Sequence, residues 1–101
     1  MIVYNITIKI DPGVEEEWLE WQKKEHIPEV MDTGLFTEFK FYKLLEQDEQ
    51  EGNTYVVQYF ASTAAHYHEY LQKFAPHLRE KIFAKWGKAF VAFRTIMEVV
   101  K

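Results

Sequence analysis

The chain has no cysteine among its 101 residues, and it is also short of basic residues. Without cysteine, disulfide frameworks, thiolate nucleophiles and cysteine-ligated zinc are excluded. The 12 basic residues stand against 16 acidic ones, for a net charge of −4, and they form no cluster suited to nucleic-acid phosphates. No apolar run approaches the roughly 18 residues that a membrane span needs. We therefore expect neither a nucleic acid nor a membrane as a partner.

The length and the N-terminal sequence set two further expectations. A chain of 101 residues is near the commonest domain size, which predicts one domain over residues 1–101. The first residues show neither the basic region nor the small-residue cleavage site of a signal peptide. We expect a cytoplasmic protein.

Apolar residues recur with the periods of four strands and two helices. The predicted strands are residues 2–10, 35–45, 54–61 and 90–100. Helix one follows Asp11 and bends or ends near Pro28, because proline clashes with the preceding helical turn. Helix two starts at an N-cap, Ser62, breaks at Ala75-Pro76 and stops at Gly87. The acidic stretch 46–51 reads as a hairpin loop.

The element order β-α-β-β-α-β predicts the α+β class, as a ferredoxin-like sandwich. In this fold a four-stranded antiparallel sheet carries the helices on one face. The other face is usually polar, but here it is also rich in apolar residues. The predicted set is Val3, Phe36, Tyr42, Leu44, Val56, Phe60, Ala92, Ile96 and Val100, with Asn5, Gln58, Arg94 and Glu98 between them.

A second apolar face has three interpretations. It is typical of a subunit interface and of a ligand chamber, and it also arises because β-branched and aromatic residues favour strands. Two helices are too few to cover both faces of the sheet. We expect a homodimer formed through the sheet.

The most distinctive segment is helix one, where His26 is the candidate catalytic residue. The negative end of the helix favours a protonated imidazole, and Glu25 or Glu29 could assist it as an acid or base. A helix-capping role for His26 is the alternative. Trp18 and Trp21 share one helix face, which fits either a pocket for a planar ligand or the core.

The other histidines and an arginine complete the candidates. His66 and His68 are two residues apart and cannot chelate one ion on a helix, so we expect no metal site. His77, at the start of a helical segment, is a secondary pocket residue whose charge the helix end disfavours. Arg94 either pairs with Glu98 or Glu38, or holds a ligand carboxylate.

Two segments carry a family resemblance: Glu25-His26-Ile27-Pro28 and Val91-Ala-Phe-Arg-Thr95. Through them the chain, over nearly its whole length, resembles domain-of-unknown-function family 4286, which has no assigned activity. That family resembles the dimeric α+β barrel superfamily. The resemblance implies two ferredoxin-like protomers whose sheets join into a barrel.

The superfamily includes cofactor-free monooxygenases, haem-degrading monooxygenases, isomerases, dehydratases and non-catalytic members, and fold does not choose among them. Haem-degrading members use an asparagine on strand one, a tryptophan on helix two and a histidine after it. Asn5, Tyr70 and His77 match this set only loosely, and we expect no cofactor. The His-x-Pro at the end of helix one resembles that of superfamily members that act on small organic compounds. This resemblance favours His26 as the site residue.

Three hypotheses follow. The first is a homodimeric α+β barrel that binds a small apolar or aromatic compound between sheet and helices. Its expected ligand-binding residues are Trp18, Trp21, Tyr70, His77 and Arg94. The second is a cofactor-independent monooxygenase or isomerase with His26 as its acid or base. The third is a non-catalytic structural or regulatory dimer.

Overall fold

The computed structural model describes residues 1–48 and 50–101, so residue 49 of the predicted acidic loop lies outside the described residues. The strands are β1 (Ile2–Ile10), β2 (Glu38–Lys43), β3 (Thr54–Ala61) and β4 (Phe90–Glu98). The helices are α1 (Glu15–Trp21), α2 (Ile27–Met31), α3 (Ala64–Lys73) and α4 (Ala75–Trp86). All neighbouring strands are antiparallel in the order β2-β3-β1-β4. The predicted ferredoxin-like α+β fold is confirmed.

The core lies between the helices and one face of the sheet. Tyr4 and Ile8 of β1 stand opposite Tyr59 and Tyr55 of β3, so all four side chains point to the helices. They are buried together with Trp18 of the first helix and with the aromatic residues of α3. Alternation along each strand then directs the intervening residues to the opposite, open face.

Of the two outcomes expected near Pro28, a bend or an end of the first helix, the end is wrong, because the helix continues to Met31. A π-helical turn, Gln22–His26, joins α1 to α2, and the Ile27 N–H donates to the Gln22 carbonyl five residues earlier. Proline has no N–H to donate to the carbonyl four residues before it. The helix therefore widens ahead of Pro28 instead of stopping, and π-helical turns of this kind are frequent at functional sites.

The second helical region begins one residue later than predicted. Thr63, not Ser62, caps α3, and its hydroxyl accepts from the His66 N–H at 3.2 Å. The predicted break is confirmed, since α3 ends at Lys73 and α4 starts at Ala75, with Phe74 between them at a φ of −119°. Gly87 ends α4 as expected, with a φ of 53° that favours glycine.

The pairing of β4 corrects the predicted open face. Arg94 stands opposite Ile6, and Ile96 stands opposite Tyr4, so Arg94 and Ile96 face the helices and not the open side. The sequence of β4 is apolar in both registers, so alternation alone could not choose. The prediction of Phe36 on the open face is also wrong, because Phe36 precedes β2 and packs in the core. The apolar residues of the open face are Val3, Tyr42, Val56, Phe60, Val91, Phe93 and Met97.

Candidate functional site

Two adjoining spaces lie between the helices and the sheet. The inner cavity, of about 30 Å³, is lined by the first helix, β1, β3, α4 and β4. The α4–β4 groove, of about 520 Å³, is open to solvent. Four residues line both spaces, and we call the boundary that they form the junction: Ile82, Phe90, Ala92 and Arg94.

Two polar atoms at the inner cavity are buried without a hydrogen-bond partner among the described residues: Gln22 Oε1 and the Tyr59 hydroxyl. The Gln22 and Tyr59 side chains are only 2% and 1% exposed. Buried polar atoms in folded proteins are nearly always hydrogen-bonded, because desolvation without a partner is costly. These two atoms are therefore the main candidates for contact with a bound molecule.

His26 also lines the inner cavity, on the same helix side as Gln22. Both belong to the π-helical turn and stand four residues apart, a spacing that places side chains side by side. Burial lowers the pKa of His26 to about 4, while Glu29 acts in the opposite direction. The imidazole is therefore neutral near pH 7, which corrects the expected protonated form. A capping role is also excluded, because the helix continues beyond it.

The surroundings of His26 explain why it is held in place. Its ring stacks on Trp21 with the centroids 4.9 Å apart, and Trp21 meets Trp86 edge-on behind it. Glu29 does not assist His26 directly: its carboxylate pairs with Lys81 of α4 at 2.6 Å. Glu25, the other expected assistant, is exposed.

Arg94 lies at the junction of the two spaces. Its Nε donates to the Tyr4 hydroxyl at 3.1 Å, and Nη2 of Arg79 on α4 donates to the same oxygen at 3.1 Å. Throughout the described chain, Arg94 has no carboxylate within ion-pair distance, so the expected pairing with Glu98 or Glu38 is wrong.

The other expected ligand residues divide between the site and the core. Trp18 lines the inner cavity, whereas Trp21 supports His26 from behind. Tyr70 packs on Phe36, with ring centroids 5.0 Å apart, and lies outside the cavity lining. His77 lines a separate surface depression beside α2.

The loose match to a haem-degrading set does not converge on one pocket. Asn5 is on the open face, where its amide oxygen accepts from Gln58 at 3.2 Å. Tyr70 is on the helix side, so the sheet lies between them. Within the described residues, no group of three or more potential metal ligands is present. No helix of residues 1–48 and 50–101 is long and apolar enough to span a bilayer.

Three site residues were missed from the sequence: Gln22, Tyr59 and Arg79. Gln22 carried a usable signal, because it directly follows Trp21 and stands one helical turn before His26. Tyr59 carried no such signal, because nothing in the sequence distinguishes it from the other core residues of its strand. Arg79 reaches Tyr4 from 75 residues away, a contact that only the tertiary structure creates.

Comparison with solved structures confirms the fold. The structure is similar to a dimeric ferredoxin-like protein from an uncultured marine organism, with a TM-score of 0.76 and 11% identity, covering 99% of this chain and 95% of that one. It is similar to HapK from Hahella chejuensis, with a TM-score of 0.73 and 11% identity over 99% and 93% of the two chains. It is also similar to SnoaB, a cofactor-independent oxygenase from Streptomyces nogalater, with a TM-score of 0.69 and 12% identity, covering 99% of this chain and 94% of that one.

No curated protein matches the chain in sequence. The family resemblance found in the sequence is confirmed over nearly the full length. The model of a family described as a domain of unknown function, DUF4286, matches residues 1–100, and the chain therefore belongs to that family.

Proposed function

We propose that this protein binds a small organic molecule in the α4–β4 groove, with one polar group of that molecule in the inner cavity. The observation that carries the proposal is the pair of buried, unpartnered atoms, Gln22 Oε1 and the Tyr59 hydroxyl, at one cavity. A ligand that supplies both hydrogen bonds offsets a desolvation cost that the unliganded fold bears.

The volumes divide the ligand between the two spaces. About 30 Å³ holds one or two water molecules or the end of a ligand, not a whole organic compound. The groove, at about 520 Å³, falls within the range of roughly 300–1,000 Å³ that is usual for small-molecule sites. The body of the ligand therefore lies in the groove, and its narrow end passes Ala92 into the inner cavity.

The chemistry of the inner cavity narrows the ligand's polar group. The Tyr59 hydroxyl can donate a hydrogen bond, and Gln22 Oε1 can only accept one. A group that accepts from one and donates to the other, such as an alcohol or phenol hydroxyl, satisfies both. Neutral His26 beside them can take either role. The walls around them are apolar, from Ile8, Trp18 and Val57, which suits an apolar or aromatic body.

Native mass spectrometry of protein purified gently from its expression host tests this proposal. We expect an adduct of a few hundred daltons, the mass of a ligand that fits such a site. The matched control is Ala92→Leu, which fills the junction between the spaces and should remove the adduct. An adduct that persists in that variant would place the ligand elsewhere and contradict the proposal. So would a protein that carries no adduct and is not stabilised by any of a panel of aromatic alcohols.

We further propose that the protein is a homodimer whose open sheet faces pack together. Phe93, midway along the edge strand β4 on the open face, is 67% exposed, and Val91 and Met97 of the same strand and Tyr42 of the opposite edge strand β2 are also exposed. Large apolar side chains exposed on one sheet face in this way mark interaction sites. A structurally similar protein is described as dimeric and ferredoxin-like, which supports a second copy of this chain as the occupant.

Phe93→Glu should convert the assembly from twice 12.1 kDa to a single chain, because it buries a charge at the interface. Sedimentation velocity at micromolar concentration measures the change. Phe83→Glu, an equally exposed phenylalanine on α4, is the control and should remain dimeric. A wild-type monomer would overturn the dimer proposal.

An enzymatic use of the same site is the second candidate, favoured by neutral His26 at the cavity wall. SnoaB, which shares the fold, is described as a cofactor-independent oxygenase. A pKa of about 4 makes His26 a weak base, however, so we favour a hydrogen-bonding role. Oxygen consumption with the compound found by mass spectrometry tests this: turnover that His26→Gln abolishes would establish catalysis, and none in wild type would exclude the oxygenase.

A further inference from the structure

Both arginines of this chain contact the same oxygen atom. The sequence contains only Arg79 and Arg94, against ten lysines. Nη2 of Arg79 and Nε of Arg94 each lie 3.1 Å from the Tyr4 hydroxyl. The separation between these two nitrogen atoms is therefore at most twice that distance, although one arginine is on α4 and the other on β4.

This arrangement places two positive charges together without a negative one. Across the part of the chain that the structure describes, neither arginine has a carboxylate within ion-pair distance. The Tyr4 hydroxyl supplies one neutral acceptor for two cationic donors. Like charges at short range repel, and each guanidinium keeps further N–H donors that the Tyr4 oxygen does not use.

The two arginines line the proposed ligand site. Arg79 and Arg94 both line the α4–β4 groove, and Arg94 also reaches the inner cavity. Arginine's planar fork matches carboxylate and phosphate oxygens better than lysine's point charge does. In a chain with a net charge of −4, this concentration of arginine is local and not a consequence of composition.

We propose that Arg79 and Arg94 together bind an anionic group of the ligand, so that the ligand is an amphipathic organic anion. Its carboxylate, sulfonate or phosphate lies between the two guanidinium groups at the groove, and its apolar body extends towards Ala92 and Ile82. This inference rests on the proposed small-molecule site and names the chemical class of its ligand.

Other charged groups near the groove affect the strength of binding but do not neutralise the pair. Glu80 lines the groove and opposes an anion. Lys81, on the neighbouring position of α4, is already paired with Glu29. Glu80 therefore provides a control of opposite sign, because its removal should strengthen binding of an anion.

Two fluorescent probes that differ by one sulfonate test the inference. They are 8-anilinonaphthalene-1-sulfonate, an anion, and N-phenyl-1-naphthylamine, its neutral counterpart. Both are titrated against the intact protein, its Arg79→Gln, Arg94→Gln, Arg94→Lys and Glu80→Gln variants, and Ala92→Leu. Circular dichroism confirms that each variant is folded, which is expected since both arginines are exposed.

We expect each glutamine variant to weaken sulfonate binding about tenfold, the loss of one charge-assisted contact, and to leave neutral binding within about twofold. Arg94→Lys should lose less sulfonate affinity than Arg94→Gln does, and Glu80→Gln should bind the sulfonate more tightly than the wild type. The difference in affinity between the sulfonate and the neutral probe should also decrease as the salt concentration is raised. Equal responses of the two probes to the arginine variants would overturn the inference.

Ala92→Leu separates failure of the inference from failure of the site. If it blocks both probes while the arginine variants leave sulfonate binding intact, the groove binds small molecules but the arginines do not select anions. If it blocks neither probe, both probes bind elsewhere, and the proposed function and the anion site fall together.

Discussion

Tyr55 and Tyr59 lie four residues apart on the same face of β3, yet their surroundings differ. The Tyr55 hydroxyl donates to Glu15 at 2.5 Å, and Asn53 donates to the same carboxylate oxygen at 2.7 Å. The Tyr59 hydroxyl, four residues further along the strand, has no partner among the described residues, and Tyr59 lines the inner cavity. Trp18 packs beside Tyr55 and also lines that cavity, so the two regions are contiguous.

The comparison shows that burial alone does not locate a site in this molecule. Both tyrosines are buried to a similar degree and both belong to the core. What separates them is whether the polar end of the ring is satisfied. Around Tyr55 the fold has completed its own hydrogen bonds, whereas the Tyr59 hydroxyl and Gln22 Oε1 have no partner among the described residues and remain available to another molecule.

The largest expected difference between the two regions is in their response to pH, through His26. Burial lowers its pKa from 6.5 to about 4. Between these values the unfolded chain binds a proton that the folded chain does not, so the free energy of unfolding falls as the pH falls. The shift corresponds to about 3 kcal/mol, lost between pH 6.5 and pH 4.

Urea denaturation from pH 4 to pH 7.5 measures this loss, and His26→Phe is the matched control. Phenylalanine keeps a planar ring against Trp21 but does not titrate, so the variant should lack this part of the pH dependence. The exposed histidines 66, 68 and 77 are present in both proteins and cancel in the difference. The same pH dependence in both would show that His26 is not buried in its neutral form.

The fold was predictable to a greater extent than the site. Period-2 alternation placed β1 and β3 correctly, because one register of each strand is clearly more apolar. It failed in β4, where Phe93 and Ile96 occupy opposite registers and only the pairing with β1 decides which faces the helices. Proline indicated a disturbance at position 28 but not its form, since a helix can end or widen there.

The candidate site was only partly predictable because it depends on contacts between distant segments. His26 and Arg94 were identified by residue type and position. The protonation state of His26 was not, because the helix continues beyond His26 and burial, the largest influence on its pKa, disfavours the charged form. The missing partner of Tyr59 could not be foreseen at all, since whether a hydroxyl is satisfied depends on every element packed around it.

A smaller effect is expected in the closed region, from Tyr55→Phe. The variant removes a hydrogen bond to a carboxylate, and we expect the free energy of unfolding to fall by about 1–2 kcal/mol. The hydrogen bond from Tyr55 is the main reason that the pKa of Glu15 lies below its usual value. NMR titration should therefore show the pKa of Glu15 rising in the variant. No change in either quantity would contradict the contact.

The smallest expected change, and the most informative in sign, is that of Tyr59→Phe. Removing an unpartnered buried hydroxyl takes away a desolvation cost, so the free energy of unfolding should stay constant or increase by up to about 1 kcal/mol. The same variant should weaken the binding of a hydroxylated ligand, because it removes a donor from the inner cavity. A gain in stability paired with a loss of binding is typical of functional sites. Denaturation beside Tyr55→Phe decides the sign: if both variants lose stability equally, the Tyr59 hydroxyl is satisfied in solution and the contrast between the two regions fails.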